Sequence, residues 1–309
     1  PRDTPVMLVR RCSLPDQQTF QCTLGEVAGV LAPGKVRPPI IAIVGPVAQR
    51  RDLCDWFAGR PLFGQTVLVT RPRDQADAMV HRLHGLGAEA LVQPAIAIEA
   101  LDEFDKLDDA IGRIDEFDWL VFSSRNGVEA FLERLYALGR DARALGNAKL
   151  AAIGSATVQA LSEQRLMADL CPDEHRAVAL AQSLAEVAGG KRFLLLRASR
   201  GREVLAERLQ AAGAGVEQVV VYRSVDVSRA DPDLAAAMEA GRITWTTVTS
   251  SAIARSLVKL FGESLRNTRL AAVSPLTAGV LAELGYPAAA IAEQYTTDGL
   301  IDALLRSPR

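Results

Sequence analysis

The chain has 309 residues, 49% of them hydrophobic and 23% charged, which is the composition of a globular protein long enough for two or three domains. A net charge of −2 gives no general field for nucleic acid or an anionic membrane, so an anionic ligand must be held by local groups. No apolar run approaches a membrane span, and the first residues do not read as a signal peptide. Cys12, Cys22, Cys54 and Cys171 are scattered without a CxxC pair, and His81 and His84 lie on a predicted exposed helix with no carboxylate or cysteine pattern beside them. No metal site is expected, and a reducing cytoplasm is the simplest setting.

Residues 1 to about 60 are predicted as strand (TPVMLVRRCS), strand and short helix (QQTFQCTLGEVAGVL), strand (PPIIAIVGPVA) and a closing helix from Arg50 to Phe57. These elements are too few for a covered α/β domain. Pro1 is not an initiator methionine, so a fragment or processed product is expected. Arg60 to Gly64 reads as a linker. Thr66 to Thr70 is a strand with Thr70, Arg71 and Arg73 at its carboxyl end, followed by a helix from about Gln75 to Leu86 that Gly87 ends. Glu89 to Glu99 is a long strand broken by Pro94, which reads as a connector leaving one lobe for another. An acidic helix over Leu101 to Ile114 opens the second lobe.

Trp119 to Phe122 is then a buried parallel strand, followed by Ser123, Ser124, Arg125, Asn126 and Gly127. The next helix carries Val128, Phe131, Leu132 and Leu135 on one face. A strand entering a helix through small polar residues makes an anion site, because the first helical N–H groups lack intrahelical partners; Ser124 or Asn126 serves equally as an N-cap. Lys149 to Gly154 is a strand whose helix has Ser155 as the expected cap and Thr157 in its first turn. A short strand ends near Leu170, and a loop and helix run over Cys171 to Val187. Lys191 onward is a strand ending in Arg197, Ser199, Arg200 and Arg202, then a helix from Glu203 to Ala212 and a strand from Val216 to Val225. The remainder returns to the first lobe: helix Asp231 to Ala240, strand Thr244 to Ser250, a helix after Ser251, strand Arg269 to Ser274, a helix with Pro275 at its first position, a final strand near Ala288 to Gln294, and a last helix capped by Thr296 or Thr297.

WTTVTSSAIARSLVKL repeats WLVFSSRNGVEAFLERL 126 positions later, aligning Trp245 with Trp119, Thr249 with Ser123 and Ser250 with Ser124. The same offset aligns Arg71 with Arg197 and Gly87 with Gly213, and KLAAIGSAT matches RLAAVSPLT. A duplicated α/β unit is expected, each copy a parallel sheet with hydroxyls at the carboxyl ends of its strands, where such sheets bind ligands. Two lobes would then leave a cleft lined by hydroxyls, helix N-termini and a few arginines.

Two resemblances organise these elements. Thr4-Pro5, Pro15-Asp16-Gln17, Thr23-Leu24 and PPIIAIVGPVAQRRDLCDWF (Pro38 to Phe57) resemble the C-terminal tail of uroporphyrinogen-III C-methyltransferase, a SAM-dependent family whose glycine-rich cofactor loops are not in this sequence. Residues 62 to 306 resemble uroporphyrinogen-III synthase through TVLVTRP, FDWLVFSSRNGVEAF, KLAAIGSAT, GAGVEQVVVYRSV, TVTSSAIA, RLAAVSPLT and AEQYTTDGL, in that family's order. The resemblance implies two flavodoxin-like parallel-sheet lobes joined by a two-stranded antiparallel hinge, with one lobe (99–225) inserted in the other (62–95 plus 226–309). Residues 1–60 would be a truncated methyltransferase tail in a fused polypeptide.

The synthase family closes linear hydroxymethylbilane to uroporphyrinogen III and inverts the terminal pyrrole through a spiro intermediate, with no cofactor or metal. The resemblance further implies a cytoplasmic monomer that receives its substrate from hydroxymethylbilane synthase. A polycarboxylate substrate needs many donors. Ser123, Ser124, Asn126, Gly154, Ser155, Thr157, Thr249, Ser250, Ser251, Ser274 and Thr277 offer hydroxyls, an amide and helix termini, Thr70 stands at a strand end, and Arg71, Arg197 and Arg200 offer bidentate pairing. The family's hinge tyrosine matches Tyr222, a phenol that stays protonated at neutral pH and can donate to the departing hydroxyl. From the residues alone Tyr222 reads first as a hinge-packing aromatic, because buried tyrosines usually pack. Arg125 departs from the small or apolar residue expected at its place, and Ser274 replaces a glycine. Two other readings stand beside the synthase: a two-lobe protein that binds a small anion without catalysis, and a SAM site surviving in residues 1–60.

Overall fold

The computed structural model describes residues 1–33, 36–50, 56–172, 177–201 and 203–307. It divides into two compact units, residues 1–96 with 227–309, and residues 97–226. The chain opens with β1 (Pro5–Arg10), β2 (Gln18–Thr23), a single turn of helix α1 (Val27–Val30) and β3 (Ile40–Val44). These strands form an antiparallel sheet in the order β2-β1-β3, with Met7 and Val9 of the central strand buried against Ala48 and Ile43. The helix expected from Arg50 to Phe57 falls largely on residues 51–55, outside the described part; a 3-10 turn, Pro46–Gln49, precedes it.

The α/β part then runs β4 (Thr66–Val69), α2 (Asp77–Gly85), β5 (Glu89–Val92), β6 (Ile96–Glu99), α3 (Asp105–Gly112), β7 (Trp119–Phe122), α4 (Arg125–Ala137), β8 (Lys149–Ala152), α5 (Ser155–Glu163), α6 (Ala177–Ala185), β9 (Arg192–Ala198), α7 (Val204–Ala211) and β10 (Gly215–Asp226). It closes with α8 (Pro232–Glu239), β11 (Trp245–Val248), α9 (Ser251–Phe261), β12 (Arg269–Ala272), α10 (Pro275–Glu283), β13 (Ala290–Ile291) and α11 (Thr297–Arg306). The strand predicted over Glu89 to Glu99 is two strands in two sheets. The break spans Gln93 to Ala95, because Pro94 has no N–H to give a ladder. The strand expected near Leu170 is reduced to one bridge between Leu170 and Ala151.

One five-stranded sheet has the order β5-β4-β11-β12-β13, every pair parallel. Numbered within its unit this is 2-1-3-4-5, the flavodoxin-like order, whose switch point lies between β4 and β11. The other has the order β6-β10-β9-β7-β8. The internal repeat maps β4, β5, β11 and β12 onto β9, β10, β7 and β8, so four neighbouring strands follow the same order in both sheets; the fifth differs, β13 beside β12 in the first and β6 beside β10 in the second, whose switch point lies between β9 and β7. Each unit therefore combines strands from both copies of the repeat, β4 and β5 with β11 to β13 in one and β6 to β8 with β9 and β10 in the other.

The central strands are buried on both faces: all four residues of β7 and all four of β11 are covered. On one side of the second sheet Phe122, Phe131, Leu132 and Leu135 join Val219, Val221 and Tyr222 in one cluster, which explains the apolar face predicted for α4. Fully burying each of these side chains contributes about 1.5–3 kcal/mol. Strand β11 carries two threonines in its core, and both hydroxyls are bonded, Thr246 Oγ with Thr268 Oγ at 3.1 Å and Thr247 Oγ to the Leu68 carbonyl at 3.1 Å.

Candidate active site

The sequence repeat appears in three dimensions as a repeated cap. Ser124 at the start of α4 has φ −162° and ψ 159°, and its Oγ accepts from Gly127 N. Ser250 at the start of α9 has φ −162° and ψ 161° and accepts from Ile253 N. Ser274 at the start of α10 repeats this with Thr277 N. All three hydroxyls act as N-caps, the role the sequence offered only for Ser124 or Asn126, and they stay half-buried rather than closed off. Ser155 is not a cap. It is the first helical residue of α5, exposed, and the cap position belongs to Gly154 at φ 84° with no side-chain acceptor. That backbone conformation suits glycine, and it leaves the Ser155 and Ala156 N–H groups at the mouth of α5 without an acceptor among the described residues.

Strands β7 and β8 are neighbours in register, so the starts of α4 and α5 lie side by side at the carboxyl edge of their sheet. Tyr222 reaches this edge from β10. It is 7% exposed, and its hydroxyl shares a hydrogen bond of 3.0 Å with Ser124 Oγ. Burial pushes the phenol above its ordinary value, while hydrogen bonds from Ser124 and Asn126 act the other way. Ser123 is exposed beside them, with its Oγ 3.3 Å from the Leu196 carbonyl. A buried phenol, two polar side chains and two helix N-termini at a switch point can hold an anionic group and deliver one proton.

In the other unit, Thr249, Ser250 and Ser251 are half-buried where β11 meets α9, and Ser274 stands at the adjacent α10 start. Arg71 follows β4 at the switch point; its guanidinium donates to Thr297 Oγ at 2.8 Å and to Gln75 Oε1 at 3.5 Å and forms no direct ion pair among the described residues, although the Asp74 carboxylate is near enough to favour its charge. Burial lowers its pKa, but an arginine remains charged. A half-buried guanidinium bonded to neutral groups is matched to an incoming carboxylate.

Other predicted contacts lie elsewhere. Thr70 is fully buried and donates to the Thr247 carbonyl at 2.5 Å, Thr157 donates to the Ile153 carbonyl at 2.7 Å, and Thr277 is buried against Ser274 Oγ at 3.2 Å. These hydroxyls finish strands and settle helix starts and present nothing to a ligand. Arg197 is ion-paired with Glu203 and bonded to Gln218 at 2.7 Å, and Arg200 is ion-paired with Asp226. Both arginines already have carboxylates. Arg125 turns to Glu129 at 2.7 Å and Glu163 at 2.6 Å, tying α4 to α5. Thr297, the anchor of Arg71, lies in the AEQYTTDGL stretch, where the sequence offers it only as a helix cap in place of Thr296; the cap is Thr296, whose Oγ accepts from Gly299 N.

A profile of the family described as HEM4, uroporphyrinogen-III synthase HemD, matches residues 77–302. The porphyrin biosynthesis protein HemD of Ruminiclostridium josui is 29% identical over 98% of this chain, and the chain spans 60% of that relative's length. The uroporphyrinogen-III synthase of Synechococcus elongatus is 31% identical over 80% of this chain and 97% of its own. Among solved structures, a uroporphyrinogen III synthase mutant from Thermus thermophilus aligns with a TM-score of 0.56 at 20% identity, over 78% of this chain and 98% of its own, which supports the fold.

Proposed function

Because the chain belongs to the uroporphyrinogen-III synthase family, we propose that it closes hydroxymethylbilane to uroporphyrinogen III, with inversion of the terminal pyrrole and release of water. The observation that carries the reading is the buried Tyr222 phenol bonded to Ser124 at the mouth of α4. With Ser124 donating to the phenol oxygen, the phenol proton is directed to the departing hydroxyl, which leaves as water. The azafulvenium cation so formed is attacked by the substituted carbon of the far pyrrole, giving the spiro intermediate. That intermediate fragments and recloses at the other carbon. The proton then lost from the reclosed ring returns to the Tyr222 oxygen, so the phenol is restored. The remaining work is positioning. Ser123, Ser124, Asn126, Gly154, Ser155, Thr249, Ser250, Ser251, Ser274 and Arg71 supply donors for the substrate's carboxylates.

The reading extends to the whole chain. Residues 62–95 with 226–309, and 99–225, act as the two synthase lobes, and residues 1–60 are the tail of a uroporphyrinogen-III C-methyltransferase fused ahead of them. The match of the long R. josui relative to nearly the whole chain supports the fusion. Residues 1–60 do not contain the methyltransferase family's glycine-rich cofactor loops, so this chain should show no heat of binding with SAM by titration calorimetry; clear binding would revive a SAM site in them. No helix among the described residues is long and apolar enough to cross a membrane. We place the protein in the cytoplasm as a monomer that takes substrate from hydroxymethylbilane synthase; sedimentation of the purified protein as a dimer would remove the monomer.

The test generates hydroxymethylbilane in situ with hydroxymethylbilane synthase, oxidises the products and separates type I from type III uroporphyrin. Type III should dominate, and Tyr222→Phe should lower kcat at least tenfold with KM little changed. Type I alone from folded protein would leave only anion binding. Undiminished kcat in Tyr222→Phe would take the phenol out of the mechanism.

A further inference from the structure

Strand β10 does not follow β9 in even register. Gly215 to Val220 pair with Arg192 to Arg197 one to one, but Tyr222 pairs with Ala198, so Val221 is an extra residue. The consequence shows in burial. Val219 is covered, Val220 is 37% exposed, and then Val221 and Tyr222 are both covered, in the same cluster under α4. In an uninterrupted strand Tyr222 would share the face of Val220 and point away from Ser124. The bulge turns the phenol toward the start of α4.

On one edge β10 is paired with β6, but on the edge where the bulge lies the ladder loses its partner, because β9 ends at Ala198. The next residue supplies the hold. Ser199 N–H donates to the Tyr222 carbonyl at 3.0 Å, and Ser199 Oγ accepts from Ser224 N–H at 3.0 Å. One residue therefore bonds the backbone on both sides of the Tyr222–Ser224 step. Its side chain takes the place of the carbonyl that a continuing β9 would offer. Ser224 is buried, so its N–H has no ready recourse to water.

We propose that Ser199 is a positioning residue for the reaction: its hydroxyl fixes β10 beyond the bulge and so keeps the Tyr222 phenol on Ser124. The proposal rests on Tyr222 as the proton donor. Ser199 itself is exposed, so its variants keep the core intact.

The experiment compares Ser199→Ala, Ser199→Thr and Tyr222→Phe in the full chain. It measures kcat and KM for type III formation, and the ring-carbon resonances of 13C-labelled tyrosine against pH, with Tyr222→Phe assigning the Tyr222 signal. Ser199→Ala should lower kcat about tenfold with KM within about twofold. The Tyr222 resonance should move toward the exposed-phenol position and titrate nearer the ordinary value, and Ser199→Thr, which keeps an acceptor oxygen, should restore both. A loss of packing alone would lower thermal stability without moving the Tyr222 signal, and that result overturns the proposal. So does unchanged kcat in Ser199→Ala while Tyr222→Phe is slow. If Tyr222→Phe is itself fully active, the donor assignment fails first and the role of Ser199 in the reaction fails with it.

Discussion

Ser124 holds two partners at once, and its repeat counterpart Ser250 holds one. Both hydroxyls cap a helix through the N–H three residues on, but only Ser124 also meets a phenol. Removing either cap should cost about 1 kcal/mol of stability, so Ser124→Ala and Ser250→Ala should melt at similar temperatures. Only Ser124→Ala should slow the chemical step, by about tenfold in kcat. Equal kcat in the two variants would show that the phenol does not depend on Ser124. The pH dependence follows from the direction of the Tyr222 shift. Its folded pKa is raised, first by burial, so folded and unfolded chains both hold the proton below the ordinary phenol value of about 10. The stability this group contributes is complete there and is lost as pH climbs through the higher folded value. The kcat profile should therefore carry no phenol limb between about pH 7 and pH 9. Ser124→Ala, which deletes a bond favouring the phenolate, should move the titration higher still. A limb near pH 8 that vanishes in Tyr222→Phe would contradict this order.

At the scale of elements, what could be read from sequence follows the range of the forces involved. The apolar run Trp119 to Phe122 and the spacing of Val128, Phe131, Leu132 and Leu135 depend only on local periodicity, and strand, helix and buried face all lie where that periodicity puts them. The Ser124 cap was legible as one of two alternatives with Asn126, because an N-cap is a contact between residues three apart; the caps at Ser250 and Ser274 were not read. The start of α5 was not. Ser155 has the right chemistry for a cap, but the helix already begins there, and the cap position falls on Gly154 at φ 84°. Its counterpart Ser274 stays extended and caps α10. Two loops of similar sequence thus differ in what takes the third helical N–H, the Gly154 carbonyl at α5 and the Ser274 hydroxyl at α10. Arg197 and Arg200 misled for a different reason: a strand-end arginine looks free until the fold brings Gln218 and Asp226 beside it from another strand. The bulge at Val221 has no signature in VVVYR, since four apolar or aromatic residues in succession fit either face.

For the whole molecule the repeat is the informative feature, because its copies are not its units. The offset of 126 residues pairs β4 with β9 and β7 with β11, yet β4 lies beside β11 and β9 beside β7. The polypeptide enters the second unit after Ile96 and leaves it after Asp226. One unit is therefore a continuous segment and the other needs two segments separated by all of the first. Sequence alone revealed the duplication, but only strand pairing shows which halves combine. Autonomy should differ accordingly. Residues 96–226 contain a complete sheet, β6-β10-β9-β7-β8, with separate apolar clusters on its two faces, one around Phe122 and Phe131 and one around Trp119, Phe193 and Leu209. A segment of this length closes enough surface for a cooperative core. Expressed alone, residues 96–226 should melt in a single cooperative transition and retain the shifted Tyr222 resonance, since Ser124, Asn126 and Ser199 all travel with it. The same segment should form no type III product, because it holds only part of the stretch, residues 77–302, that matches the family. Non-cooperative melting would show that its sheet depends on the discontinuous unit; type III product from the segment would show that the discontinuous unit is dispensable.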